Sequence, residues 1–160
     1  GLENAYIQQF HTFSDPHRDP RERVITIAFY ALVKIQDVKG GDDAVAAQWF
    51  PLDEIPALAF DHDYILRMAI QKLREEIHFQ PIGFELLPEK FTIKELQTLY
   101  ETILGISFYR RNISKKILHR ELLNELEEPI LPTPKREAKL YKFNAEKYGE
   151  FKRKGFRLEF

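Results

Sequence analysis

Thr92-Ile-Lys-Glu-Leu-Gln-Thr-Leu-Tyr-Glu-Thr-Ile-Leu-Gly105 marks a helix at both of its ends. The Thr92 hydroxyl can accept from the backbone N–H of Glu95 while the Glu95 carboxylate returns to the N–H of Thr92, which is a capping box. Ile93, Leu96, Leu99, Tyr100, Ile103 and Leu104 then recur along one helical face, and Gly105 supplies the left-handed residue on which such a helix stops. Just beyond lies Phe108-Tyr-Arg-Arg-Asn-Ile-Ser-Lys-Lys-Ile-Leu-His-Arg120, in which five of thirteen residues are Lys or Arg and none is acidic. Wound at about 100° per residue, Ile113, Ile117, Leu118 and Leu122 fall on one half of the cylinder and Asn112, Lys115, Lys116 and His119 on the other. The spacing therefore predicts a second helix from about Tyr109 to Leu123 with a cationic outer face. Downstream, Leu126 to Leu131 and Ala138 to Phe143 read as strands around Pro132-Thr-Pro-Lys-Arg136, a hairpin with a basic tip. A helix, a glycine turn, a basic helix and a basic-tipped hairpin in that order match a winged helix-turn-helix, whose second helix enters the DNA major groove and whose wing meets the backbone.

On this reading the DNA-binding residues are Arg110, Arg111, Asn112, Lys115, Lys116 and His119 of the second helix, with Lys135 and Arg136 of the wing. An asparagine can read adenine and an arginine guanine, while lysines serve phosphates. A merely solvated helix face is the competing explanation, and the wing cations argue against it independently. Charge is also divided along the chain. Residues 1–78 carry 8 Lys plus Arg against 13 Asp plus Glu, whereas residues 79–160 carry 16 against 12. A basic half beside an acidic one suits a nucleic-acid module joined to something else.

Working toward the N-terminus, Gln80-Pro-Ile-Gly83 breaks the pattern and is the expected junction between a domain at 1–78 and one at 79–160. Ahead of it, an aspartate in Phe60-Asp-His-Asp63 can cap a helix that carries Ile65, Leu66, Ala69, Ile70, Leu73 and Ile77 and ends near His78. Tyr6 to Phe13 and Val24 to Lys34 read as strands joined by the polar run Ser14-Asp-Pro-His-Arg-Asp-Pro20. The nearly unbroken apolar run Val24 to Val33 predicts burial on both faces. Ala46 to Phe50 reads as one more strand.

Zero cysteines exclude thiol nucleophiles, disulfides and Cys-ligated metals. With 44% hydrophobic residues, 31% charged residues and 21 aromatics the chain is globular rather than disordered. No window offers the roughly 18 apolar residues of a membrane span, and Gly1-Leu-Glu-Asn4 has no signal-peptide pattern, so a soluble, cytoplasmic protein is expected. Serine-hydrolase, P-loop and dinucleotide motifs are absent from the sequence.

His11 to Val33, with Arg18-Asp-Pro-Arg-Glu-Arg-Val-Ile25, resembles the segment that follows the Nudix box in ADP-ribose-type Nudix domains. Gln48-Trp-Phe-Pro-Leu-Asp-Glu-Ile-Pro56 and Leu58-Ala-Phe-Asp-His62 resemble that domain's last strand and the start of its closing helix. Leu86-Leu-Pro, Phe91-Thr, Glu95-Leu-Gln-Thr-Leu-Tyr-Glu101, Arg111-Asn112 and Lys139-Leu-Tyr-Lys-Phe143 resemble the C-terminal winged helix of the Nudix-related transcriptional regulators, the NrtR family. The resemblance runs nearly end to end and implies an α+β fold, a partial Nudix-like domain followed by a winged helix. It also implies a homodimeric transcriptional regulator that binds double-stranded operator DNA and senses ADP-ribose, another NAD-related nucleotide, or a sugar. The enzyme alternative is a Nudix ADP-ribose or sugar-nucleotide pyrophosphatase in a full-length form.

The chain departs from the Nudix pattern in one respect. A Nudix box places glutamates on one helix to hold the cations that bridge a diphosphate, and no such box occurs. Arg74-Glu-Glu-Ile77 is a look-alike, because Leu66 and Phe60 stand where the motif demands glutamate and glycine. Gly1-Leu2 reads as the end of a box whose remainder lies upstream, so catalytic residues and a cofactor are not expected in this chain; magnesium or manganese would enter only with a full-length hydrolase. Asp19, Arg21, Arg23 and His62 are the candidate effector-binding residues, Arg21 and Arg23 because a guanidinium fork matches phosphate. The competing reading pairs those arginines with Asp19 and Glu22. His11, His17, Asp15 and Asp19 can be drawn as a metal site, but a polar loop with incidental histidines explains them better, and no metal is expected.

Overall fold

The computed structural model describes residues 6–38, 46–108, 121–127 and 139–154. Its contacts divide the chain into two compact units, Gly1–Lys72 and Leu73–Phe160. In the first, β1 (Tyr6–Phe13) and β2 (Thr26–Leu32) pair antiparallel, from Tyr6 opposite Leu32 to Phe13 opposite Thr26, with a bulge between Gln9 and His11. The helix α1 (His62–Glu76) follows, two residues shorter than its apolar pattern predicts.

Two expectations for this unit fail. β2 is not buried on both faces: Ala28 is buried, but Ile27 and Phe29 are each 56% exposed. An unbroken apolar run makes both faces able to pack, and among the described residues only one face finds cover. Residues 46–50 form no strand and are exposed. No neighbouring strand pairs with them among the described residues, and the Trp49 indole N–H donates to the carbonyl of Gln36 at 2.7 Å instead.

In the second unit, β3 (Phe91–Thr92), α2 (Ile93–Leu104), β4 (Leu123–Leu126), β5 (Leu140–Phe143) and α3 (Ala145–Arg153) surround one core. The sheet order is β3-β5-β4, antiparallel throughout. The capping box forms as written in the sequence: Glu95 N–H donates to the Thr92 hydroxyl at 3.2 Å and Thr92 N–H to the Glu95 carboxylate at 2.7 Å. Gly105 closes α2 at φ 68°. The helix buries Ile93, Leu96 and Tyr100 against Ile77, Phe91, Leu122, Leu123 and Tyr141.

The predicted second helix cannot reach Leu123. Glu121 has a positive φ of 54° and Leu123 already opens β4; residues 109–120 lie outside the described residues. The hairpin exists, but its first strand begins at Leu123 rather than Leu126, with Leu126 opposite Leu140. Leu122 and Leu123 look like a continuing helical stripe, yet they follow a left-handed residue, and Leu123 enters the core from β4 with Leu122 buried just ahead of it.

Candidate nucleic-acid interface and effector site

The candidate nucleic-acid interface is built from α2 outward. Its C-terminal carbonyl at Ile103 accepts from the Arg74 guanidinium Nε at 3.0 Å. That guanidinium also lies where a side chain on residue 105 would go, since a Cβ there would stand 2.9 Å from Arg74 Nη2. The positive φ favours glycine here, and a Cβ would also push the Arg74 guanidinium aside. The turn is tied again at Phe108, whose N–H donates to Glu101 Oε1 at 2.7 Å and whose carbonyl accepts from Gln97 Nε2 at 3.0 Å. Gln97 also donates to Glu101 at 2.9 Å. The Gln97 amide and the Phe108 N–H hold the Glu101 carboxyl below its ordinary range, so this acceptor stays ionised at neutral pH.

The eight DNA-binding candidates, Arg110, Arg111, Asn112, Lys115, Lys116, His119, Lys135 and Arg136, lie outside the described residues. The scaffold that brackets them is described. In sequence, residues 109–120 lie between the tied turn and Glu121, and residues 128–138 lie between β4 and β5, which pair antiparallel. At the base of the wing, Lys139 pairs with Glu125 and Lys142 with Glu89 at 2.6 Å, so those two lysines are neutralised by neighbours.

In the first unit a bidentate ion pair joins residues 43 apart. Arg18 Nε and Nη2 donate to the two carboxylate oxygens of Asp61, each at 2.8 Å, and Nη1 donates to the Thr26 hydroxyl at 2.6 Å. This bidentate fork is 6% exposed on the arginine side and 21% on the aspartate side, so it fastens the loop after β1 to the start of β2 and to α1. Asp61, expected to cap α1, gives both carboxylate oxygens to Arg18. Arg18 and Asp61 also line an open cleft of about 540 Å³ with His11, His17, Asp15 and Tyr64. Sequence reading missed this pair, and a sequence separation of 43 residues leaves no local signal for it.

Of the effector candidates, Asp19 and Arg21 meet. Arg21 Nε and Nη2 donate to Asp19 at 3.0 and 2.8 Å, and the Arg21 backbone N–H adds a third bond at 2.9 Å. The guanidinium stacks 4.5 Å from the Phe60 ring centroid, and Phe60 in turn lies 6.1 Å from the His62 ring. Arg23 is exposed, and no ion pair holds it among the described residues. None of the four lines the cleft. The side-chain and backbone donors of Arg21 hold the Asp19 carboxyl down at about 2. A depressed carboxyl stabilises the fold above its ordinary value of 3.8 and loses that contribution as pH falls toward about 2. Asp19→Asn is therefore expected to flatten the loss of thermal stability across that acid interval, measured by melting the two proteins at a series of pH values. Among the described residues no group of three or more His, Asp or Glu is placed to hold a metal ion. No helix among them is long and apolar enough to cross a membrane.

The sheet order, the capped α2 and the tied turn agree with a family model matched at residues 83–143, the NrtR DNA-binding winged helix domain. Over those residues the chain is similar to an NrtR winged helix. A curated relative, the ADPR responsive transcriptional repressor NtrR of Acinetobacter baylyi, is 27% identical over 92% of this chain. The chain spans 60% of that relative's length. The fold is similar to that of Shewanella oneidensis NrtR in its crystal structure complexed with a 27mer DNA, with a TM-score of 0.69, 24% identity, and coverage of 96% of this chain and 68% of the other. A MutT/nudix family protein from Enterococcus faecalis matches with a TM-score of 0.64 and 25% identity, covering 87% of this chain and 62% of the other. The α+β architecture is thus similar to those of an NrtR protein and a MutT/nudix family protein.

Proposed function

We propose that this chain belongs to a DNA-binding transcriptional repressor of the cytoplasm that responds to ADP-ribose. The winged helix engages operator DNA as part of a homodimer, and the Nudix-like unit, with no cofactor of its own, senses the effector. The observation that carries this reading is the match of the winged helix at 83–143, with the acid-free basic segment 108–120 set between α2 and β4. Support for the effector comes from the relative whose name states ADPR responsiveness. Dimeric binding suits the motif, because paired recognition helices meet two half-sites one DNA turn apart.

The DNA contacts are assigned to Arg110, Arg111, Asn112, Lys115, Lys116 and His119, with Lys135 and Arg136 on the wing. Replacing Arg111, Lys115 and Lys116 together by Ala is expected to weaken duplex binding about tenfold or more and to flatten its salt dependence, since fewer counterions are released. Fluorescence anisotropy across a salt series reads both, and unchanged binding removes these residues from the interface.

The effector contacts are assigned to Asp19, Arg21, Arg23 and His62. The Nε–Nη2 edge of Arg21, the edge that best grips a phosphate, is already given to Asp19, so Arg23 is the cation most available to an anionic ligand. Arg23→Ala in the full-length protein is expected to cost about 1.5–3 kcal/mol of ADP-ribose affinity, the scale of one charge-assisted bond. Calorimetric titration measures it, and equal affinity in both proteins places the phosphates elsewhere.

A further inference from the structure

We propose that the Glu101–Gln97 clamp on Phe108 is a specificity-determining device: it fixes where and in which direction the basic segment 109–120 leaves the scaffold, and so sets discrimination between DNA sequences. The inference rests on the DNA-binding reading above. Glu101 and Gln97 stand one turn apart on α2 and satisfy each other at 2.9 Å, which is all that a helix surface asks of such a pair. Here both also reach past the end of the helix, one to the N–H and the other to the carbonyl of Phe108. Both backbone hydrogen-bonding groups of the residue before the basic segment are therefore held by side chains of the preceding helix. Burial does little of this work over the turn itself, because Gly105, Ile106 and Ser107 are exposed and packing returns only at the Phe108 ring.

The consequence for recognition follows from the two kinds of DNA contact. Phosphate attraction is long-ranged and tolerates displacement, whereas base readout needs directional hydrogen bonds at fixed positions. A loosened clamp therefore costs discrimination before it costs general affinity. Glu101 and Gln97 are positioning residues, acting through Phe108 on the groups that follow it.

The test uses the whole 160-residue chain and two fluorescent duplexes: one recovered by the wild-type chain from a pool with a randomised centre, the other a scramble of it with equal length and composition. The readout is the ratio of the two affinities, with the salt slope on the scrambled duplex. Glu101→Ala is expected to lower the ratio about fivefold or more, a shift comparable to losing one base contact, and to leave affinity and slope on the scrambled duplex as in wild type. Glu101→Gln keeps an oxygen that accepts both bonds and is expected to recover most of the ratio. Gln97→Ala, which releases the Phe108 carbonyl and the Gln97–Glu101 bond but keeps the Phe108 N–H on Glu101, is expected to lower the ratio and decides the matter if Glu101→Ala fails to fold. An unchanged ratio in Glu101→Ala or Gln97→Ala overturns the inference while leaving DNA binding intact, and equal losses on both duplexes overturn it too. A wild-type chain that binds neither duplex removes the DNA-binding reading and the inference with it.

Discussion

Asp61→Ala is expected to destabilise the N-terminal unit by about 3–5 kcal/mol, the usual cost of leaving one buried charge without its partner. The Arg18 side chain is 6% exposed and gives two of its three bonds to Asp61, with the neutral Thr26 hydroxyl taking the third. Removing the carboxylate strands a cation that water reaches poorly. A double replacement, Arg18→Met with Asp61→Leu, is expected to cost much less, because it removes the charge along with its partner. Urea unfolding followed by Trp49, the sole tryptophan of the chain and part of this unit, measures both. A single-mutant loss below about 1 kcal/mol, the level of an exposed pair, would show that the fork is not what ties this unit together.

Ile77→Ala is expected to cost the C-terminal unit about 2–5 kcal/mol through lost burial and the cavity left behind. Ile77 is fully buried, in a cluster with Phe91, Leu96, Tyr100, Leu122 and Tyr141. The residue directly follows α1, upstream of the break at residues 80–83 that the sequence offers as a junction. A fragment that begins at residue 84 therefore lacks part of its own core, whereas one that begins at Leu73 keeps it. Denaturant unfolding followed by far-ultraviolet circular dichroism on the Ile77→Ala chain tests this, and a loss below about 1 kcal/mol would place Ile77 outside the cooperative core.

What could be read from the residues was local. The capping box at Thr92 and the left-handed Gly105 are determined within one or two turns of chain, and both appear as written. The antiparallel hairpin is legible for the same reason, but its first strand begins three residues earlier than the sequence pattern suggests, because Leu122 and Leu123 read as part of a helical stripe while Glu121 takes a positive φ. α3 went unread although a signal was present: Asn144 precedes it and accepts from the N–H of Lys147 at 2.9 Å, the bond of an N-cap. Gly149 and the polar composition of that stretch hid the helix. The Arg18–Asp61 fork was illegible for another reason. An aspartate ahead of a helix is locally a cap, and only the folded chain brings an arginine from 43 residues away to claim it. Of the candidate effector residues, the sequence offered both outcomes for Arg21, phosphate ligand or partner of Asp19, and the folded chain forms the pair.

The central claim is that the winged helix binds duplex DNA through the basic segment it carries. Anisotropy of a fluorescent duplex titrated with the 160-residue chain at several salt concentrations tests it most directly. The account predicts binding whose logarithm falls linearly with the logarithm of salt, with a slope of about −3 or steeper, as three or more neutralised phosphates require. No binding at low salt, or binding indifferent to salt, would contradict it.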